Sequence, residues 1–248
     1  MNGLIIVVTR NNLALSKLAI KSAMAQDVPT DVMVADNQST DGTVQWVASK
    51  PVARVSFQKQ VSLAACWNAA LRAAWGAGYK AAILANNDIE LRPDTFRLLN
   101  AVGGEFVSCV SVGSIEQLGT PGDRTVEDLR KSQRPRPDFS AFRICKSVTD
   151  RGLWFDESLY PAFYEDNFFH LAMHRAGVRA VCVDLPFFHH SSSTLKNADP
   201  RESVVIRRGA IANRDKFRAM YGCIPSECEK YDALFSEATF GTNAAALR

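Results

Sequence analysis

The sequence predicts an α/β fold: a single domain with a mostly parallel central sheet flanked by helices, and a helical extension after it. Three observations carry this. Ala82-Ile83-Leu84-Ala85 is small or apolar without alternation, the pattern of a strand buried on both faces. Leu4-Ile5-Ile6-Val7-Val8 and Val32-Met33-Val34-Ala35 repeat that pattern. Segments of helical period lie between them, so strand and helix alternate through residues 1–102, which calls for parallel strands joined by right-handed crossovers.

Each element has a local cause. The first strand ends at Thr9-Arg10-Asn11-Asn12, and Leu15, Leu18, Ala19, Ser22 and Ala23 then recur at helical spacing over 13–26. Asp27-Val28-Pro29 stops that helix. The second strand runs into Asp36-Asn37-Gln38-Ser39-Thr40-Asp41-Gly42-Thr43, where Ser39 or Asp41 suits the cap of a short helix closed by Pro51. Residues 52–58 read as a third strand, and the Ala-rich stretch 62–77 as a helix ended by Gly76 and Gly78. After the opening strand, Asn86-Asn87-Asp88 breaks the apolar run, and Pro93 suits the first turn of another helix.

The second half is less regular. Residues 105–112 and 139–145 look like strands, and the stretch 113–138 between them has little periodicity. A loop that long is usually functional or disordered, and it is expected to act as a mobile lid. A helix is expected from about Asp166 to Gly177, then a strand over 178–183 with Pro186-Phe187-Phe188-His189-His190-Ser191 leaving its end. Residues 201–220 are basic and helical in pattern, and a tail of weak signals is expected over 223–248, its end loosely held.

Composition narrows the function classes. The 248 residues are 47% hydrophobic and 22% charged, values of an ordinary globule, and a net charge of +3 is too small to argue for nucleic acid. Six scattered cysteines lack a paired zinc spacing and read as reduced core thiols of a cytoplasmic protein. No run suggests a signal peptide or a transmembrane segment. Neither a G-x-G-x-x-G nor a P-loop follows the first strand.

Polar groups gather where ligands sit in open α/β sheets, beyond the carboxyl ends of strands. These are Asp36, Asp88 and the Glu165-Asp166 pair, with His189 and His190 adding imidazole. A carboxylate with a histidine suits a divalent cation, Mg²⁺ or Mn²⁺, of the kind that bridges a diphosphate. A second carboxylate held off the metal can take a proton from an attacking hydroxyl. Each group also has a plain structural use: Asn and Asp favour turns, and acidic residues favour the first turn of a helix.

In combination these residues resemble the inverting, nucleotide-sugar-dependent glycosyltransferases of family 2, with the GT-A (Rossmann-like) fold, over residues 4 to about 222. Asp36-Asn37-Gln38-Ser39-Thr40-Asp41-Gly42-Thr43 is similar to the family's nucleotide-recognition segment. Asn86-Asn87-Asp88 stands where the family has its Asp-x-Asp metal motif. Phe163-Tyr164-Glu165-Asp166 resembles its acceptor-side motif, and His189 or His190 before Ser191 its late metal-binding histidine. Asn213-Arg214-Asp215-Lys216-Phe217 with Tyr221-Gly222 resembles its C-terminal helix.

The resemblance implies a nucleotide-binding half over 1–102 and an acceptor-side half over 103–200. It implies that Thr9, Arg10, Asp36, Asn68, Asn86 and Asn87 surround the donor. Asp88 and one of the two histidines would hold Mn²⁺ or Mg²⁺, since neighbouring strand residues face opposite ways. Asp166 would be the general base and Glu165 would position the acceptor. The implied partners are a nucleoside-diphosphate sugar such as a UDP-sugar and a hydroxyl-bearing acceptor: a glycan, lipid-linked sugar, protein or modified nucleic acid. The implied location is the cytoplasm, with peripheral membrane contact as a further option. Two departures stand out. Asn86 replaces the first metal-motif carboxylate, and Ser62 and Trp67 replace a Gly and an Arg, with Arg10, Lys59 or a loop arginine as possible substitutes. They favour one alternative, a decayed GT-A protein that only binds a glycan or partner. The basic residues of 113–138 (Arg124, Arg130, Lys131, Arg134, Arg136), with Arg207, Arg208, Arg214 and Arg218, further suggest an anionic acceptor such as a lipid phosphate or modified nucleic acid.

Overall fold

In the computed structural model, which describes residues 3–122, 124–129, 136–190, 198 and 200–236, an eight-stranded sheet runs through the molecule in the order β3-β2-β1-β4-β7-β6-β8-β5. Strands β1 (Gly3–Thr9), β2 (Thr30–Asp36), β3 (Ala53–Ser56) and β4 (Ala81–Asn86) are mutually parallel. Their connections are helices α1 (Leu13–Met24), α2 (Thr43–Ala48) and α3 (Leu63–Gly76). Strand β7 (Ala141–Cys145) enters antiparallel between β4 and β6 (Phe106–Val112). Strand β8 (Ala180–His189) is parallel to β6 and antiparallel to the two-residue β5 (Ile89–Glu90).

Unbroken apolar runs in β1, β2 and β4 follow from a sheet covered on both faces. Leu4, Ile6 and Val8 join the buried cluster under α3 and α6 (Glu165–Arg175), whereas Ile5 and Val7 join the cluster under α1 and α4 (Thr95–Ala101). The α3 side is aromatic. Phe106 is fully buried, its ring 5.0 Å from Phe142 and 5.1 Å from Phe139, and Phe155 stacks on Phe169 at 3.9 Å.

Several sequence expectations need correction. Strand β8 does not end at Val183 but continues to His189, carrying Pro186 within the ladder. The β6–β8 register shifts between Ser108 and Val110, and Pro186 falls at that irregularity, where a missing N–H is tolerated. Helix α4 begins at Thr95 rather than at Pro93, because Asp94 turns back to pair with the buried Arg92. Over its described part, the stretch 113–138 is anchored to its surroundings. Arg92 bonds the carbonyls of Leu118 and Thr120, Asp94 accepts from Gly122 N, and Arg124 bonds the Asp184 carbonyl. Arg130, Lys131 and Arg134 lie outside the described residues.

The tail also begins as packed structure. Tyr231 in helix α8 (Cys228–Ala233) is fully buried against Phe217 of helix α7 (Pro200–Tyr221) and near Phe168 of α6. Residues 237–248 lie outside the described part. None of the six cysteines forms a disulfide, but Cys228 is exposed rather than in the core. Among the described residues no helix is long and apolar enough to cross a membrane.

If Phe106 anchors the aromatic layer, the Phe106→Ala variant loses about 3–5 kcal/mol of unfolding free energy. Urea denaturation followed by tryptophan fluorescence measures it.

Candidate active site

Two cavities meet at the carboxyl edge of the parallel strands. The first, of about 160 Å³, is walled by Thr9, Arg10, Asn86, Asn87 and Asp88, with Glu202 and Ile206 of α7 opposite. The second, of about 270 Å³, is walled by Trp67, Arg136, Asp138, Glu165 and Asp166. Leu63 and Asn86 line both, so the cavities adjoin there.

Three loops interlock to form the first wall. Asn11 and Asn12 take left-handed backbone, which Asn tolerates well. Asn11 Oδ1 accepts from Thr40 N, and Ser39 Oγ accepts from Asn11 N. Asp41 Oδ2 accepts from Leu13 N at the start of α1, so this residue ties two loops together besides bonding Thr43. Hydrogen bonding to Thr43 and Leu13 holds its carboxyl below the usual range despite partial burial.

The expected donor residues divide into wall and scaffold. The Thr9 hydroxyl is buried against Ser16 Oγ at 2.7 Å. Asn87 Nδ2 contacts Thr9 Oγ1, Asn11 O and Ser16 Oγ, so it braces the same loop. Arg10 pairs with Glu202 at 2.8 Å and bonds the carbonyls of Asn37 and Gln38, joining α7 to the cleft. Asp36 is a correction: it is buried off the cleft wall, its Oδ1 accepting from Ser39 N and its Oδ2 buried with no hydrogen-bond partner. Its neighbour Asn37 reaches the wall instead, locked to Val61 by two hydrogen bonds. Asn68 is a second correction. It is 1% exposed, outside both cavities, and fully engaged with Phe155 N and O and with Glu157. Lys59 is exposed and off both walls.

Asp88 and His189 come together through the β5–β8 ladder. His190 N donates to Asp88 O at 2.9 Å, and Ile89 faces His189 in the register. Asp88 Oδ2 then stands 3.4 Å from His189 Nε2. That hydrogen bond is the main reason the His189 pKa rises, with the Asp88 and Asp138 charges adding to it against desolvation. Adjacent ligands of an octahedral ion with bonds near 2.1 Å lie about 3 Å apart, so the pair fits one edge of such a shell. Among the described residues no group of three His, Cys, Asp or Glu residues is arranged to hold a metal. Of the two histidines left open by the sequence, His190 points to Glu90 instead, with Nε2 2.8 Å from Oε1.

Glu165 and Asp166 open α6. Phe163 and Tyr164 before them have positive φ (78° and 73°), which is strained for aromatic residues and persists only where surroundings enforce it. Asn213 of α7 enforces it by donating to the carbonyls of Ala162 and Phe163. Gly209 lets that loop lie on α7, since a Cβ there would come within 2.5 Å of the Tyr160 carbonyl. Burial, then the Asp166 charge, pushes the Glu165 carboxyl well up, and burial likewise raises Asp166. Asp138 was missed from the sequence because it ends an aperiodic loop, yet it joins Glu165 and Asp166 on one wall.

The sheet order and its covering helices define a GT-A-type α/β protein with two adjoining cavities at the strand ends. The Glycosyl transferase family 2 model matches residues 4–149, more than half of the chain, and the chain belongs to that family of nucleotide-sugar glycosyltransferases. Solved structures share the architecture. S. aureus TarS 1-349 in complex with UDP-GlcNAc aligns with a TM-score of 0.60 at 17% identity, covering 97% of this chain and 71% of that one. TarS 1-349 with UDP gives 0.59 at 16%, covering 97% and 70%. The mannosyltransferase PcManGT from Pyrobaculum calidifontis, in complex with GDP-Man and Mn²⁺, gives 0.58 at 17%, covering 96% and 84%. No curated protein sequence matches significantly.

A raised native pKa at Glu165 has a definite sign in stability. Unfolded, the group titrates near about 4.3. The native state holds the proton more tightly, so this contribution is full below that pH and is lost as pH rises through the higher native value. Urea unfolding across a pH series is expected to show wild type weakening against the Glu165→Gln variant as pH climbs from mildly acidic to mildly basic.

Proposed function

We propose that the protein moves a sugar from a nucleoside-diphosphate sugar to an acceptor hydroxyl with inversion of configuration, assisted by Mn²⁺ or Mg²⁺. One observation carries the reading: Asp88, paired with His189, and the Glu165–Asp166 pair line separate cavities that adjoin at Asn86 and Leu63. A reaction of two substrates across one bond needs that arrangement.

The donor occupies the first cavity. Asp88 and His189 would hold the cation, a carboxylate and an imidazole being donors that suit Mn²⁺ or Mg²⁺. When bound, the cation supplies charge to stabilise the departing diphosphate. Asn86 stands at the junction, where the bond to the sugar would lie. Thr9, Asn87 and Arg10 hold the wall rigid through the bonds described above. The TarS and PcManGT complexes make UDP- and GDP-sugars the first donors to test.

The acceptor occupies the second cavity. Asp166 is the base that takes the hydroxyl proton, and Glu165, buried at its side, orients it. Burial serves the chemistry, because a carboxylate of raised pKa is a stronger base toward an alcohol. The hydroxyl then attacks the anomeric carbon from the face opposite the diphosphate. Asp138, Glu165 and Asp166 outnumber Arg136 on this wall, which favours an uncharged, hydroxyl-rich acceptor end over an anionic one. Arg136 is itself engaged by Asp232, the Pro225 carbonyl and the Tyr231 ring. Six cysteines outside any disulfide suit a reducing, cytoplasmic setting.

Calorimetry with UDP or GDP, with and without Mn²⁺, is expected to show metal-dependent binding. The Asp88→Ala and His189→Ala variants should each weaken it by at least about tenfold, whereas His190→Ala leaves it near wild type. The Asp166→Asn variant should keep donor affinity and lose transfer by about 10²–10⁴-fold. Full transfer in that variant assigns the base elsewhere. Donor binding without transfer or donor hydrolysis in wild type would favour a non-catalytic binding protein.

A further inference from the structure

The outer face of α7 carries a surface that sugar transfer does not use. Ile206, Asn213 and Phe217 turn inward and are buried. They recur at i, i+7 and i+11, one side of a helix. On the other side Val204 is 47% exposed, Val205 46% and Ile211 51%. Val204, Arg208 and Ile211 follow at four and three residues and form one stripe, flanked by Arg207. Arg207, Arg208 and Arg218 are exposed as well. The helix holds five arginines (201, 207, 208, 214 and 218), while Glu202 turns in to Arg10 and Asp215 is the outward carboxylate.

We propose that this face docks on an anionic lipid surface. Aliphatic side chains interleaved with arginines suit the boundary between headgroups and acyl chains, where the arginine stems lie along apolar surface and their heads reach phosphates. The same pattern disfavours other occupants. A second copy in a two-fold interface would set this arginine face against itself. Nucleic acid is disfavoured because Phe217 is buried, the ring of Tyr221 already packs on Phe168, Phe217 and Arg175, and the chain's net charge is only +3.

Docking here has a consequence for the cleft. The inner side of the same helix lines the first cavity through Glu202 and Ile206. The donor cavity would then lie one helix thickness, about 10–12 Å, from the lipid surface. An acceptor anchored in that surface is the class such a geometry serves. The docking itself holds whether or not the cleft transfers a sugar.

The test is sedimentation of the full chain with phosphatidylcholine vesicles, with and without phosphatidylglycerol. Wild type should bind the anionic vesicles at least about tenfold more than the neutral ones, and added salt should weaken it. Two double variants, Val204→Glu with Ile211→Glu and Arg207→Glu with Arg208→Glu, should each lower binding at least about fivefold. Their thermal midpoint and nucleotide binding should stay as in wild type. If the first double variant does not fold, the arginine pair alone decides. No binding to either vesicle, equal binding to both, or full binding by the arginine variant overturns the proposal. So does a soluble dimer lost in the same variants, or retention on single-stranded nucleic acid that ignores the valine and isoleucine changes.

Discussion

The site depends on a ladder only two residues long. Strand β5 pairs with the far end of β8, and this brings Asp88 beside His189, about a hundred positions later in the chain. The main-chain bond from His190 N to Asp88 O fixes the depth at which they meet. Strand alternation then separates the two histidines: His189 turns to Asp88 and His190 to Glu90. For the ladder to form, β8 must run past Pro186, and the register shift against β6 allows this. A feature that looks like a strand terminator in sequence is thus part of what lets the strand reach the site.

The second constraint is strain held by packing. Tyr164 in left-handed backbone aims the start of α6 so that Glu165 and Asp166 face the second cavity. Such a conformation costs on the order of 1–3 kcal/mol per residue and needs support from outside the loop. Helix α7 supplies it twice, through Asn213 and through the missing side chain at Gly209. The same helix closes the first cavity through Glu202 and Arg10. One element therefore braces the walls of both cavities, and the close approach of Tyr160 and Pro161 explains a glycine in the interior of a 22-residue helix.

The parallel half was legible because its signals are local. Unbroken apolar runs report strands covered on both faces, and the alternate burial of Ile5 and Ile6 under different helices shows why no alternation appeared. The positions of Asp88, Glu165 and Asp166 at element ends were legible for the same reason. Roles set by tertiary partners were not. Asn68 reads as a cleft residue, yet Phe155 and Glu157 occupy its whole amide. Asp36 and Asn37 are neighbours of similar shape, and only the fold shows that the turn buries one and the wall takes the other. Asp138 follows a segment without period, so nothing local marks it.

The polar groups around the first cavity mostly face each other rather than the space between them. Thr9, Ser16 and Asn87 form one knot, and Asn11, Ser39, Thr40 and Asp41 another. A ligand in such a cleft meets side chains that are already oriented, so little rotamer entropy remains to be lost on binding. Asn86 is the contrast. It lies on both cavity walls, and its backbone N–H is secured to the Ser140 carbonyl. Its amide stands where family resemblance leads one to expect a carboxylate, and an amide brings donors as well as an acceptor without adding charge. With Asp88 beside it and the acidic cluster across the junction, where burial and mutual charge already raise Glu165 and Asp166, a further negative charge at that point would add to the repulsion. Asparagine at 86 is therefore the choice that electrostatics favours where the two cavities join.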